Sequence, residues 1–91
     1  MGAAEMPQDT DRPVVAVRYW AGARAAAGVD QDEVAGCTTV GDAVQAVVAL
    51  HPSLATVVTV STLLLDGRVA RGDSPLARGA VVEVLPPFAG G

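Results

Sequence analysis

The sequence predicts an α+β domain in which one main helix packs across one sheet, in the order strand, strand, helix, strand, strand, strand. Three observations carry that prediction. Runs of β-branched and aromatic residues at 14–20 and 81–85 read as strands. Val40, Ala43, Val44, Val47, Val48 and Leu50 recur at three- and four-residue spacing, the stripe of an amphipathic helix. Asp66-Gly67, set between Leu63-Leu64-Leu65 and Arg68-Val69, supplies the positive φ angles of a tight hairpin. A chain of 91 residues has room for one such core.

In the first strand, Val15, Val17 and Tyr19 share one face and Ala16, Arg18 and Trp20 the other. Residues 21–27 are Ala-rich, bounded by Gly22 and Gly28, and long enough for one or two helical turns. Residues 29–35 return as a second strand whose acids, Asp30, Asp32 and Glu33, are expected to face water. Thr39-Val40-Gly41-Asp42 starts the main helix: the Thr39 hydroxyl can accept from the backbone of Asp42, whose carboxylate reaches back and meets the helix dipole. Pro52 disfavours helical geometry at His51, so the helix stops near Leu50, and residues 52–58 form another short turn of helix. After the hairpin, residues 73–79 make a connecting turn. Pro75 presets φ there, and Gly79 can take a left-handed conformation. The last strand, 81–85, turns Val82 and Val84 inward and Glu83 outward, and its apolar makeup suits a central position.

Half of the residues are apolar, yet the core must be built from small pieces: Val and Ala dominate, Ile is absent, and Tyr19, Trp20 and Phe88 are the only aromatics. The net charge of −4, with basic residues scattered singly, leaves no footprint for phosphate backbones or anionic membranes. The uncharged stretch 43–65 is broken by Pro52 and by several Ser and Thr, so it is not expected to span a membrane. The acidic N-terminus lacks the apolar run of a signal peptide, and the protein reads as cytoplasmic. Every basic residue is Arg; without Lys there is no side-chain amine to form a Schiff base or accept an isopeptide bond.

Side chains suited to catalysis are scarce. One Cys, Cys37, excludes an internal disulfide and a Cys-based zinc site; nothing basic flanks it, so it reads as an inert small hydrophobe. His51, beside a Pro, reads as a helix-end or surface residue, and a metal site would need more ligands. The terminus stands out instead: Pro86-Pro87-Phe88-Ala89-Gly90-Gly91. The prolines end the last strand and stiffen the exit. Six extended residues reach about 20 Å. Gly90-Gly91 has no β-carbons, so it can thread a channel too narrow for other dipeptides, and it ends in an α-carboxylate that ATP can activate. Residues 1–12 read as a loose tail, 13–87 as the domain and 88–91 as a flexible tail. Phe88, beyond the last position at which the strand can pair, reads as a docking residue for a partner.

The sequence resembles the ubiquitin-like sulfur carriers of the MoaD and ThiS family, which includes the small subunit of molybdopterin synthase. Residues 17–28, Val17-Arg18-Tyr19-Trp20-Ala21-Gly22 and the Arg24-containing segment after it, are similar to the family's first strand and short helix. Thr39-Val40-Gly41-Asp42-Ala43-Val44 resembles its helix start, Asp66-Gly67 its hairpin, and residues 73–91 are the most specific stretch. Gly79-Ala80-Val81-Val82 departs from the family's usual Gly-Asp-Glu-Val, a change in the turn rather than in the terminus.

The resemblance implies a ubiquitin-like β-grasp fold, a mixed sheet with one main helix packed across it and an extended C-terminal tail, and a carrier cycle. An E1-like adenylating partner would use ATP and Mg to adenylate the Gly91 carboxylate, and a persulfide donor would convert it to a thiocarboxylate. Phe88, Ala89, Gly90 and Gly91 would enter a partner's tunnel, and sulfur would pass to a pterin precursor in the large synthase subunit, within a heterotetramer. This chain would bind no cofactor or metal itself, and neither nucleic acid nor membrane is expected as a partner. Two other functions stay open: a carrier for another sulfur pathway (cysteine, thiamine thiazole or tRNA thiolation), and a protein modifier. The family's thiazole carriers are typically shorter and lack the segment around Arg24, which favours the molybdopterin pathway.

Overall fold

Residues 14–87 are described by the computed structural model; the expected tails at 1–12 and 88–91 lie outside them. Strand β1 (Val14–Tyr19) is followed by α1 (Ala21–Ala27), β2 (Gln31–Ala35), the main helix α2 (Val40–Leu50), α3 (Leu54–Thr59), β3 (Thr62–Leu65), β4 (Arg68–Val69) and β5 (Val81–Leu85). The strands form one sheet in the order β2-β1-β5-β3-β4. The central pair, β1 and β5, is parallel, and every other neighbouring pair is antiparallel. With α2 laid across it, this is the expected β-grasp.

Alternation along the strands decides what the helices cover. Val15, Val17 and Tyr19 of β1, Val34 of β2 and Val82 and Val84 of β5 are buried with Val40, Ala43 and Val47 of α2 and with Leu54 of α3. Among the described residues, the largest fully buried side chains are Leu54 and six valines. A core of such short side chains closes only if backbones approach one another. They do so where α2 meets the loop before β5: Gly41 N donates to Gly72 O at 2.7 Å, and a β-carbon on Gly41 would lie 3.0 Å from that oxygen. Val40 N to Ser74 O (2.9 Å) and Leu76 N to Thr38 O (2.9 Å) complete the seam.

The start of α2 has the expected capping box. Thr39 Oγ1 accepts from Asp42 N at 3.1 Å, and Asp42 Oδ2 accepts from the backbone of Thr39 at 3.2 Å. The same oxygen also takes the Thr38 N–H (3.1 Å) and hydroxyl (2.9 Å). The β3–β4 turn has positive φ at Asp66 (51°) and Gly67 (86°), and Gly79 is left-handed at 82°. Asp66 also ties the turn to β5: its N–H donates to Val81 O (2.8 Å), and its Oδ1 accepts from Val81 N (3.0 Å).

Three boundaries shift. β1 ends at Tyr19 because the Trp20 carbonyl turns away to accept from Ala23 N at 2.9 Å, opening α1. β2 begins at Gln31, after Gly28 at φ 79° has closed α1. α3 covers Leu54–Thr59 rather than 52–58, since Ser53 is its N-cap. Among the described residues, no helix is long and apolar enough to cross a membrane.

Candidate functional site at the root of the C-terminal tail

The tail leaves from the middle of the sheet. β5 runs beside β1 with Tyr19 opposite Val84, and Trp20 N extends the ladder by donating to Val84 O at 3.2 Å. On its other side Leu85 is opposite Thr62 of β3. The residues that carry Pro86 and Pro87 are therefore hydrogen-bonded on both edges, a rigid base for whatever follows. Phe88, Ala89, Gly90 and Gly91, on which the chemistry was expected to rest, lie outside the described residues.

On the open face of the sheet, three side chains interlock at this base. Arg18 and Glu83 are opposite one another in the parallel ladder. Trp20 Nε1–H donates to Glu83 Oε2 at 2.9 Å, and the Arg18 guanidinium lies over the indole, 5.1 Å from its centroid. Trp20 remains partly exposed, so its ring is held in place without being covered. Ala21, next in the chain, has φ 47°, a conformation that costs a non-glycine residue energy, at the turn from β1 into α1. Alternation placed Arg18 and Trp20 on this face, but their convergence on Glu83 depends on the parallel pairing, which sequence periodicity does not reveal.

On the helix side the structure corrects one expectation. Asp32 does not face water. Its Oδ2 accepts from Tyr19 OH at 2.7 Å and lies 2.7 Å from His51 Nε2, which must be the protonated nitrogen if it is to donate. Tyr19 and His51 meet edge to face, 6.2 Å between ring centroids. Burial, and then the hydrogen bond and charge of Asp32, push the Tyr19 hydroxyl far above the usual phenol range. The reason is register: Asp32 is opposite Val17, on the face that alternation gives to the core. His51 is at the helix end, as expected, but it pins the C-terminus of α2 to the edge strand. Asp30 does face water, in an exposed pair with Arg24 at 3.6 Å, a contact worth little.

Cys37 is buried in the β2–α2 connection, and burial, with the Asp42 charge second, raises its thiol above the ordinary value. The described residues enclose no pocket, and no three of their His, Cys, Asp or Glu residues gather as metal ligands. What the geometry offers chemically is a fixed exit for a tail, flanked by an ordered indole.

Residues 17–91 match the model of the ThiS family. Solved structures share the fold. SAMP1 of Haloferax volcanii, a small archaeal modifier protein, is 27% identical with a TM-score of 0.77, over 86% of this chain and 99% of that one. A Pyrococcus furiosus protein described as putative molybdopterin converting factor, subunit 1, is 28% identical with a TM-score of 0.75, over 84% and 99% of the two chains. The Helicobacter pylori complex of subunits 1 and 2 of molybdopterin-converting factor gives 20% identity and a TM-score of 0.64, over 86% and 99%, a likeness of fold. A comparison with curated protein sequences returns no match.

Proposed function

The chain belongs to the ThiS family of ubiquitin-like sulfur carriers, and from that premise we propose that it carries sulfur on Gly91 for molybdenum cofactor biosynthesis. The observation that carries this is the terminus itself, Pro86-Pro87-Phe88-Ala89-Gly90-Gly91, continuing directly from a central strand hydrogen-bonded on both edges. A rigid root and a side-chain-free end suit delivery of one carboxylate into a partner's active site.

In the proposed cycle an E1-like partner transfers AMP from Mg-ATP to the Gly91 carboxylate, releasing pyrophosphate. A persulfide sulfur then attacks the acyl carbon and AMP leaves. Reduction of the resulting acyl disulfide by a thiol of the partner system frees the thiocarboxylate. The domain then docks on a large synthase subunit, as the subunit pairing named for the H. pylori complex suggests, and sulfur passes to a pterin precursor. The similarity to SAMP1 favours one second function, a protein modifier whose activated Gly91 is joined to an amine of another protein.

The test is the terminus. Deleting Gly91 shortens the reach by about 3.3 Å, far outside the tolerance of reacting groups. The shortened chain should fold normally and lose both adenylation and thiocarboxylate formation, while the intact chain, given activating enzyme, ATP and a persulfide donor, gains the mass change of sulfur for oxygen. Retained activation without Gly91, or no sulfur on the intact chain, would end the carrier proposal. Sulfur gained without conversion of the pterin precursor would move the protein to another sulfur pathway; isopeptide products on other proteins would mark a modifier.

A further inference from the structure

An activated Gly91 is an electrophile, and it reacts with whichever nucleophile reaches it first. The side chains able to compete with a partner's sulfur are a Lys amine, a Cys thiolate, a Tyr phenolate and a His imidazole. In this chain each is absent or engaged. All six Lys-or-Arg positions are Arg: Arg12, Arg18, Arg24, Arg68, Arg71 and Arg78; a guanidinium keeps its proton and does not attack. Cys37 is buried with its thiol held protonated. Tyr19 is buried and donates to Asp32; the same carboxylate engages His51 Nε2, and an acyl group taken by the other ring nitrogen would be lost to water.

The fold does not explain the missing amines. Arg68 and Arg71 are exposed on β4 and the loop after it, and among the described residues neither has an ion-pair partner. An ammonium group would be equally well solvated at either place. We propose, building on the carrier function, that the domain is an acyl donor with no side-chain acceptor on its own surface. Activation of Gly91 then cannot end in side-chain acylation of the same or another copy, and a conjugate to a foreign amine cannot be extended through a side chain of this domain. The step that is prevented is specific. An amine nitrogen would attack the Gly91 carbonyl carbon, a C–N bond would form, the C–O bond to AMP would break with AMP leaving, and the amine proton would pass to water.

The experiment uses the full chain, acetylated at its α-amine so that only side chains can accept. It is incubated with an E1-like adenylating enzyme and Mg-ATP without a sulfur donor, and pyrophosphate release, AMP release and intact masses are followed together. The wild type should release AMP by hydrolysis and form no chain–chain adduct. An Arg68→Lys/Arg71→Lys variant, with unchanged melting, should form adducts that map to residue 68 or 71. Side-chain adducts on the wild type would overturn the proposal, as would a variant that releases pyrophosphate yet stays unmodified, since shielding by the partner would then be the protection. If neither chain releases pyrophosphate, the carrier function itself fails and takes this inference with it.

Discussion

Asp66 and Gly67 both stand at positive φ, and at Gly67 no atom would crowd an added β-carbon. Conformation alone therefore sets the cost of a side chain there. Gly67→Val should destabilise the domain by about 1–2 kcal/mol; an unchanged urea midpoint would mean that the turn relaxes freely. At Asp42, hydrogen bonds from Thr38 first and Thr39 next hold the carboxyl below its ordinary value. The unfolded chain then binds more protons than the folded one, so this contribution is complete above the ordinary carboxylate value and is lost as pH falls through the folded one. Asp42→Asn should flatten that acid-side loss below about pH 4, and parallel stability curves for variant and wild type would count against it. Asp66-Gly67 and Thr39/Asp42 were legible because each is a local code spanning a few residues. Asp32 was misplaced because its charge was weighed above its period. It stands two residues before Val34, on the same face, and a polar atom there needs partners from Tyr19 and His51, which are 13 and 19 residues away in sequence.

Helix α2 is positioned by its first turn as much as by its apolar stripe. Replacing Gly41 with Ala would raise helix propensity by up to about 1 kcal/mol, but the new methyl would meet Gly72 O at 3.0 Å, a backbone oxygen already bound by Gly41 N. The crowding should win, with a net loss of about 1 kcal/mol. Gly22→Ala in α1 is the control, since nothing lies near its added carbon; equal stabilisation by both substitutions would show that the 72–76 loop yields. The close approach of Gly41 and Gly72 could not be seen in the sequence, because it joins two glycines through a contact between segments. The stripe of α2 could, as could the alternation of β1 and β5, because helix and strand periods are written in consecutive residues.

At the scale of the molecule, the β-grasp followed from element order and from the resemblance, while the packing that closes it did not. A core made mostly of valines and alanines gives little shape information in sequence. The expected site, the Gly91 carboxylate, lies outside the described residues, and the family match runs through it. The base of that site, Arg18 and Trp20 against Glu83, needed the parallel pairing of the first and last strands.

That pairing also sets an order of assembly. β1 is synthesised first and β5 last of the described strands, and β5 lies between β1 and β3. Until it arrives, the sheet is two separate hairpins, β1 with β2 and β3 with β4, each marginal alone. The decisive contacts close the longest loop the domain has, which slows folding and leaves any fragment that stops short of β5 unable to bury its valines. Such fragments are open to proteolysis. Completion of the fold thus certifies that the chain has been made through β5, the strand that Pro86 and Pro87 follow.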